Sequence, residues 1–170
     1  QSEGVKFVLK RDGRAMIGDE MGLGKSIQAL GVSKVYSKDW PCVIFCPSSL
    51  KDTWKHEIEK WLGRVDGDDG KGEGAVKVRK IDSAKESKDI LNEMRKNSNG
   101  SGSASTKIDF IIVPYSICNQ IQKELFELVF NVMKANVVVC DESHFLKDRK
   151  AKRTMAVVPF LIRAKRAICL

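Results

Sequence analysis

Long hydrophobic runs are missing from this 170-residue sequence, and no stretch approaches the roughly eighteen uninterrupted apolar residues that a membrane-spanning helix needs. The first residues, Gln1 to Gly4, also lack the basic and then apolar layout of a secretory signal. We therefore expect a soluble protein that is not exported and has no membrane partner.

Paired cysteines and clustered histidines are also lacking. The five cysteines are an odd number, and Cys42 and Cys46 lie four residues apart without a second pair to complete a zinc site. His56 and His144 are isolated in the sequence. We expect the cysteines to act as small buried hydrophobic residues in a reducing compartment.

The composition favours a folded domain with a basic surface. Hydrophobic residues make up 42% of the chain and charged residues 31%, which excludes wholesale disorder, and the formal net charge is +8. The positive excess lies near the end of the chain, at Lys147, Arg149, Lys150, Lys152, Arg153, Arg163, Lys165 and Arg166. Such a cluster attracts a polyanion, but it is equally typical of a solvated helix face.

Short, β-branched apolar runs alternate with segments of helical periodicity, as expected for strands covered on both faces. This pattern predicts an α/β fold with a mostly parallel sheet and helices on both faces. The predicted strands are 15–17, 42–46, 110–113, 137–140 and 167–170, and the predicted helices include 27–35, 50–62, 90–94, 121–133 and 155–162.

Two polar segments interrupt the pattern. Residues 63–75 are rich in glycine and acidic side chains, and residues 97–106 are nearly all Ser, Asn, Gly and Thr, so both are predicted to be flexible surface insertions. Residues 76–81 between them alternate in polarity, which predicts a partly exposed edge strand.

A glycine-rich segment, Gly18–Ser26, follows an apolar run and precedes a predicted helix. Gly22 and Gly24 allow the backbone to turn tightly enough for several N–H groups to face one anion, and the helix adds the positive end of its dipole. In a phosphate-binding loop of this kind, Lys25 reaches the β- and γ-phosphates and the Ser26 hydroxyl ligates Mg²⁺.

Two acidic residues follow the apolar run 137–140. Asp141 is predicted to enter the Mg²⁺ shell, and Glu142 to orient or deprotonate the attacking water. Adjacent acids after a strand also occur in ordinary polar loops. The combination with Gly18–Ser26 favours a site, because both segments follow strands at the edge where open α/β sheets bind ligands.

The segments Gly18–Ser26 and Asp141–Lys147 resemble motifs I and II of the Swi/Snf-type, superfamily-two helicase-like DNA translocases. The strict phosphate-loop pattern has glycine where Asp19 stands, whereas this family has aspartate there.

Shorter matches to the same family fall in the expected order. Gln1–Val5 resembles the end of the adenine-sensing Q motif, Cys46–Leu50 with Trp54 resembles motif Ia, and Val113–Ser116 resembles motif Ib. The phrases Trp40–Pro41 and Ser143–Lys147 are most similar to the annealing-helicase branch of the family.

The resemblance implies that residues 1–170 form the first RecA-like P-loop lobe of an ATP-driven motor, truncated before motif III. Its cofactors would be ATP and Mg²⁺, and its partners double-stranded or forked DNA and a second RecA-like lobe with arginine fingers. The protein would act in the nucleus if eukaryotic, and otherwise in the cytoplasm. Without the second lobe we expect weak ATP binding and poor hydrolysis.

The resemblance also assigns roles to single residues. Lys25, Asp141 and Glu142 would be catalytic, and Ser26 and Asp141 would hold Mg²⁺. The nucleotide would contact Gln1, Asp19, Gly22, Leu23, Gly24, Lys25, Ser26 and Ile27. DNA would contact Ser48, Ser49, Tyr115, Ser116 and His144, and His144 would couple these contacts to the nucleotide.

Other interpretations stay open at this point. The chain could be a nucleotide-binding module without turnover, or a basic scaffold that binds nucleic acid by charge alone. A GTPase is disfavoured because no Asn-Lys-x-Asp guanine motif is present. Gln1 could belong to a disordered terminus, and Ser48 and Ser49 could be helix caps.

Overall fold

A computed structural model describes residues 1–18, 22–63, 76–98 and 107–170. These residues form a six-stranded sheet in the order β1-β6-β5-β2-β4-β3. Every strand pair in it is parallel. The strands are β1 Arg14–Met16, β2 Cys42–Cys46, β3 Val78–Lys80, β4 Phe110–Pro114, β5 Val137–Cys140 and β6 Arg166–Cys169. The predicted mostly parallel α/β sheet is confirmed.

Helices connect successive strands, as parallel pairing requires. Helix α1, Ser2–Leu9, precedes β1. The connecting helices are α2 Lys25–Val35, α3 Lys51–Leu62, α4 Ala84–Ser98, α5 Tyr115–Phe126 and α6 Lys152–Arg163. Short 3₁₀ turns cover Ser48–Leu50 and Ser143–Leu146. No helix in the described ranges is both long and apolar enough to cross a bilayer.

The central strands are buried on both faces. In β2, Val43 and Phe45 join one hydrophobic cluster with α5 and α6, while Cys42 and Ile44 join a second cluster with α2 and α3. Burial on both faces explains why the sequence shows continuous apolar runs instead of alternation. All five cysteines are free, and four are buried, which agrees with their predicted role as small hydrophobic residues.

Most predicted elements are present with shifted ends. The segment 76–81 contributes β3, which lies at one edge of the sheet as predicted. The predicted helix 121–133 belongs to α5 and then widens into a π-helical turn, Glu127–Val132. The proposed insertions lie almost entirely outside the described residues.

The capping role considered for Ser48 and Ser49 is wrong. Both serines belong to the 3₁₀ turn before α3, and the N-cap of α3 is Leu50, with no side-chain capping bond. The Ser48 hydroxyl instead lies 2.9 Å from that of Ser116, on the neighbouring helix α5.

Candidate functional site

The glycine-rich loop joins β1 to α2 at the carboxyl edge of the sheet. Gly22 and Gly24 have φ of +83° and +75°, in the left-handed region that glycine adopts at little cost. Helix α2 begins at Lys25, and its N-cap is Gly24, which has no side chain to make a capping bond. The N-terminus of a helix is a favourable place for an anion. Asp19 lies outside the described residues.

Helix α1 brings Gln1 against this loop. A Cβ atom built on Gly24 would lie only 2.4 Å from the Gln1 Nε2 atom, so the amide rests directly on the loop backbone. The positive φ is what favours glycine at position 24. The sequence placed Gln1 near adenine through resemblance alone, and the structure places it at the same loop.

Asp141 follows β5 and is held by several hydrogen bonds. Its backbone N–H donates to the Phe45 carbonyl at 2.8 Å, which extends the β5–β2 pairing by one step. Its Oδ2 atom accepts the indole N–H of Trp54 at 2.8 Å, and its Oδ1 atom accepts the backbone N–H of Glu142 at 2.9 Å. The carboxylate therefore has a fixed orientation.

The carboxyl group of Asp141 belongs to a residue that is largely buried from solvent. Burial raises the pKa of its carboxyl group, against the hydrogen bonds from Trp54 and the Glu142 N–H and the nearby charge of Lys25, which lower it. Burial is the largest of these effects. A cation beside this carboxylate would offset the cost of its desolvation.

Glu142 takes up an unusual backbone conformation, with φ 48° and ψ 49°. Left-handed backbone in a non-glycine residue is uncommon and often marks a functional position. The Glu142 Oε2 atom lies 3.0 Å from Nδ1 of the half-exposed His144, and this contact restricts the position of the glutamate side chain.

These residues line one cleft of about 390 Å³. The cleft brings together eight of the predicted residues: Gln1, Gly22, Gly24, Lys25, Ser26, Ile27, Asp141 and Glu142. Leu23, within the loop, is exposed and is not among the residues that line the cleft. Strand β6 separates the strands that carry the two motifs, so their convergence depends on the order of strands in the sheet.

A second cavity, of about 470 Å³, lies between α5, α6 and the turn before α3, and we name it the α5–α6 groove. Ser48 and Ser116 line it, and their hydroxyl oxygens are 2.9 Å apart. Lys152 and Arg153 of α6 line its other side. The groove thus combines two small hydroxyls with two cations.

Of the other proposed DNA contacts, Tyr115 also lines the α5–α6 groove. Its hydroxyl is buried and donates to the Asp141 carbonyl at 2.7 Å, while its ring stacks on that of Phe145. Ser49 and His144 are exposed but do not belong to the groove lining that the structure describes. Their DNA contacts stay predictions.

One wall of this cleft was not predicted from the sequence. Thr53, Glu57 and Trp61 line it from α3, one turn apart along the helix. The sequence predicts the helix 50–62, but no motif marks these three residues as part of a cleft. Trp54 belongs to the segment that resembles motif Ia, but nothing in the sequence indicates its bond to Asp141.

Comparison with known proteins agrees with this geometry. The profile of the SNF2-related domain family matches residues 1–170. The human DNA annealing helicase and endonuclease ZRANB3 is 34% identical over 170 residues, covering the whole chain and 14% of the relative. A SWI/SNF-related matrix-associated actin-dependent regulator of chromatin subfamily A-like protein 1 from Xenopus laevis is 29% identical over the same length.

Solved structures show the same fold. The SWI2/SNF2 ATPase core of Sulfolobus solfataricus in complex with double-stranded DNA superposes with a TM-score of 0.62 at 20% identity, covering 99% of this chain and 29% of that one. The chain spans about 14% of the length of the human relative. The Swi/Snf-type assignment made from the motifs is confirmed: the chain belongs to the SNF2-related domain family.

Proposed function

We propose that this chain is the ATP-binding lobe of a DNA-dependent ATPase that translocates on double-stranded DNA. One observation carries the proposal: Lys25 and Ser26 at the start of α2 face Asp141 and Glu142 after β5 across a single cleft. A phosphate-binding helix end opposite paired carboxylates is the arrangement that phosphoryl transfer requires.

The cleft suits Mg-ATP by its chemistry. The left-handed glycines 22 and 24 expose the loop backbone, and each Asp141 oxygen accepts one hydrogen bond, which leaves a lone pair on each for a metal ion. Ser26 and Asp141 would hold Mg²⁺, whose charge would neutralise phosphate oxygens when bound. The oxygen ligands are those that Mg²⁺ prefers.

The protein side chains have separate tasks in this proposal. Lys25 binds the β- and γ-phosphates as a fixed positive charge. Glu142 orients the attacking water and accepts its proton, and the contact with His144 keeps its carboxylate in place. Gln1 contacts adenine at the edge of the cleft.

We propose DNA as the partner of the α5–α6 groove. Hydroxyl groups and cations contact phosphates without reading base sequence, which suits a translocase. The Sulfolobus relative was solved in complex with double-stranded DNA. A nuclear location is in keeping with the DNA and chromatin named in the titles of the eukaryotic relatives, and we propose forked DNA as a further substrate.

The proposal is tested by two substitutions in the complete protein. Lys25→Ala removes a ground-state phosphate contact, so we expect nucleotide binding to be lost. Glu142→Gln removes a group that acts on the water, so we expect ATP affinity to persist while hydrolysis stops. Equilibrium binding of a fluorescent ATP analogue and single-turnover hydrolysis measure the two effects. Equal loss of ATP affinity in both variants would contradict these roles.

A second candidate is a nucleotide-binding module without turnover of its own. It is favoured by the cleft lining, in which the described residues include no arginine. Arginine supplied from a second lobe typically contributes a factor on the order of 10³ to 10⁵ to hydrolysis. We therefore expect residues 1–170 alone to bind Mg-ATP weakly and to hydrolyse it poorly. Robust DNA-stimulated turnover by these residues alone would exclude this candidate.

A further inference from the structure

Trp54 is one of the most deeply buried large side chains in the protein, with 2% of its surface exposed. It lies in the first turn of α3 and makes a buried hydrogen bond, 2.8 Å long, from its indole nitrogen to Asp141 Oδ2. An indole N–H can donate a hydrogen bond but cannot accept one, so its partner must be an acceptor, and a carboxylate oxygen meets this requirement.

The carboxylate of Asp141 is bound on both oxygens. The Glu142 N–H holds Oδ1 from within the same loop, whereas Trp54 holds Oδ2 from a different helix. A single bond would leave the carboxylate free to rotate about χ2, which is a soft torsion in aspartate. The second bond fixes the plane of the carboxylate, and with it the direction of the remaining lone pairs.

The same helix begins at the α5–α6 groove. Ser48 lines that groove in the 3₁₀ turn that leads into α3, and Trp54 follows six residues later in the chain. Tyr115, the neighbour of the groove residue Ser116, reaches the Asp141 carbonyl with its hydroxyl. Two of the segments that border the groove, α5 and the turn that continues into α3, therefore make contacts with the loop of Asp141.

We propose that Trp54 is a positioning residue that orients the Asp141 carboxylate toward a divalent cation. Through α3, the orientation of this carboxylate depends on the position of the turn that lines the groove. The inference rests on the proposed function, since it assigns a residue that acts through the metal-binding aspartate.

Trp54→Phe in the complete protein tests the proposal, because phenylalanine keeps an aromatic ring and loses the N–H donor. Nucleotide affinity is measured with a fluorescent ATP analogue, in EDTA and across a Mg²⁺ titration. Outer-shell partners of metal ligands typically contribute about 10- to 100-fold to metal affinity. We expect Trp54→Phe to raise the Mg²⁺ concentration for half-maximal effect about 10-fold or more, and to leave affinity in EDTA unchanged.

Trp40→Phe is the matched control. Its indole N–H also makes a side-chain hydrogen bond, to Ser33 at 2.8 Å, but Trp40 precedes β2 and thus lies at the opposite edge of the sheet. Equal shifts of the Mg²⁺ midpoint in both variants, or no shift in Trp54→Phe, would overturn the proposal. An affinity loss in Trp54→Phe that persists in EDTA would also overturn it, since it would indicate a disturbed cleft.

A second replacement guards against a folding defect in Trp54→Phe. The benzothiophene isostere of tryptophan, introduced at position 54, fills the same volume and places sulfur where the N–H was. The same shift of the Mg²⁺ midpoint is expected, and an unchanged midpoint would overturn the proposal. If the unmodified protein bound no nucleotide at any Mg²⁺ concentration, the proposed function itself would fail, which is a distinct result.

Discussion

Glu142 combines a strained backbone conformation with a place in the lining of the cleft. Its left-handed backbone, with φ 48°, turns the chain directly after β5 so that consecutive acids face the cleft. A non-glycine residue in this region costs on the order of 1 kcal/mol. The contact with the exposed His144 offsets little of that cost, because polar contacts near solvent contribute weakly.

Relief of this backbone strain is the first prediction. Glu142→Gly should raise the free energy of unfolding by about 1 kcal/mol in urea denaturation, because glycine adopts positive φ without a steric penalty. It should also abolish hydrolysis. Lys134 is an exposed residue with φ 57°, so Lys134→Gly should stabilise similarly and leave hydrolysis unchanged. Stabilisation by Lys134→Gly alone would mean that position 142 is not strained.

At the scale of single elements, α6 contains a proline that leaves one helix carbonyl without its usual donor, and a side chain of another helix donates to that carbonyl instead. Pro159 lies inside the helix and has no N–H to donate to the Met155 carbonyl. Gln122 of α5 donates its side-chain amide to that same carbonyl at 3.2 Å. The C-terminal end of α6 is held from β1, where the Arg14 guanidinium donates to the carbonyls of Leu161 and Ala164.

This compensation predicts a coupling between Gln122 and Pro159. Gln122→Ala should lower the free energy of unfolding by about 0.5 to 1 kcal/mol, since a carbonyl loses its partner near the surface. In a Pro159→Ala background the substituted residue supplies the missing N–H within the helix, so the same change should cost less. A double-mutant cycle measures the difference. Strict additivity of the two substitutions would show that Gln122 does not serve the freed carbonyl.

Elements were more predictable than contacts between them. The sequence predicted β2 with the same bounds, because five consecutive buried residues form a plain apolar run. Helix α1 was not predicted, since Ser2–Leu9 is only eight residues long and Val8 alone is buried within it. The Trp54–Asp141 bond joins residues 87 positions apart and depends on β5 lying beside β2, an order that no local pattern encodes.

At the scale of the whole molecule, cationic side chains and hydroxyl groups line the same groove. The sequence left two interpretations of the basic cluster after Asp141: a polyanion site or a solvated face. The structure divides the cluster, since Lys152 and Arg153 line the α5–α6 groove while Lys165 and Arg166 pair with Asp39 on another side. A polyanion site stays a prediction for the groove pair, whereas Lys165 and Arg166 are engaged in ion pairs within the protein.

Binding of duplex DNA should depend on both walls of this groove. We expect Lys152→Ala/Arg153→Ala to weaken affinity and to reduce the slope of log affinity against log salt by roughly 2, because two phosphate contacts are lost. Ser48→Ala/Ser116→Ala should weaken affinity with little change in that slope. Affinity should not depend on base sequence.

The control for these measurements is Lys85→Ala/Lys88→Ala, which removes two exposed charges from α4, outside the groove lining. Fluorescence anisotropy at several salt concentrations compares the variants. If the serine pair had no effect, the contact would be electrostatic alone. If the α4 pair matched the α6 pair, the groove would not be the place of contact.

The short strand β1 carries the glycine-rich loop at an edge of the sheet, where its three residues pair with β6 alone. Such an edge opens locally more often than the strands at the centre. A ligand seated on the loop would bind the closed form, and would favour it by about 2.7 kcal/mol at a hundredfold excess over its dissociation constant. Hydrogen–deuterium exchange should therefore slow on nucleotide addition in β1 and α1, while amides in β2 and β5, already slow, change little. Bound nucleotide would therefore stabilise this edge of the sheet, and the stabilisation would be gained and lost with each cycle of binding and release.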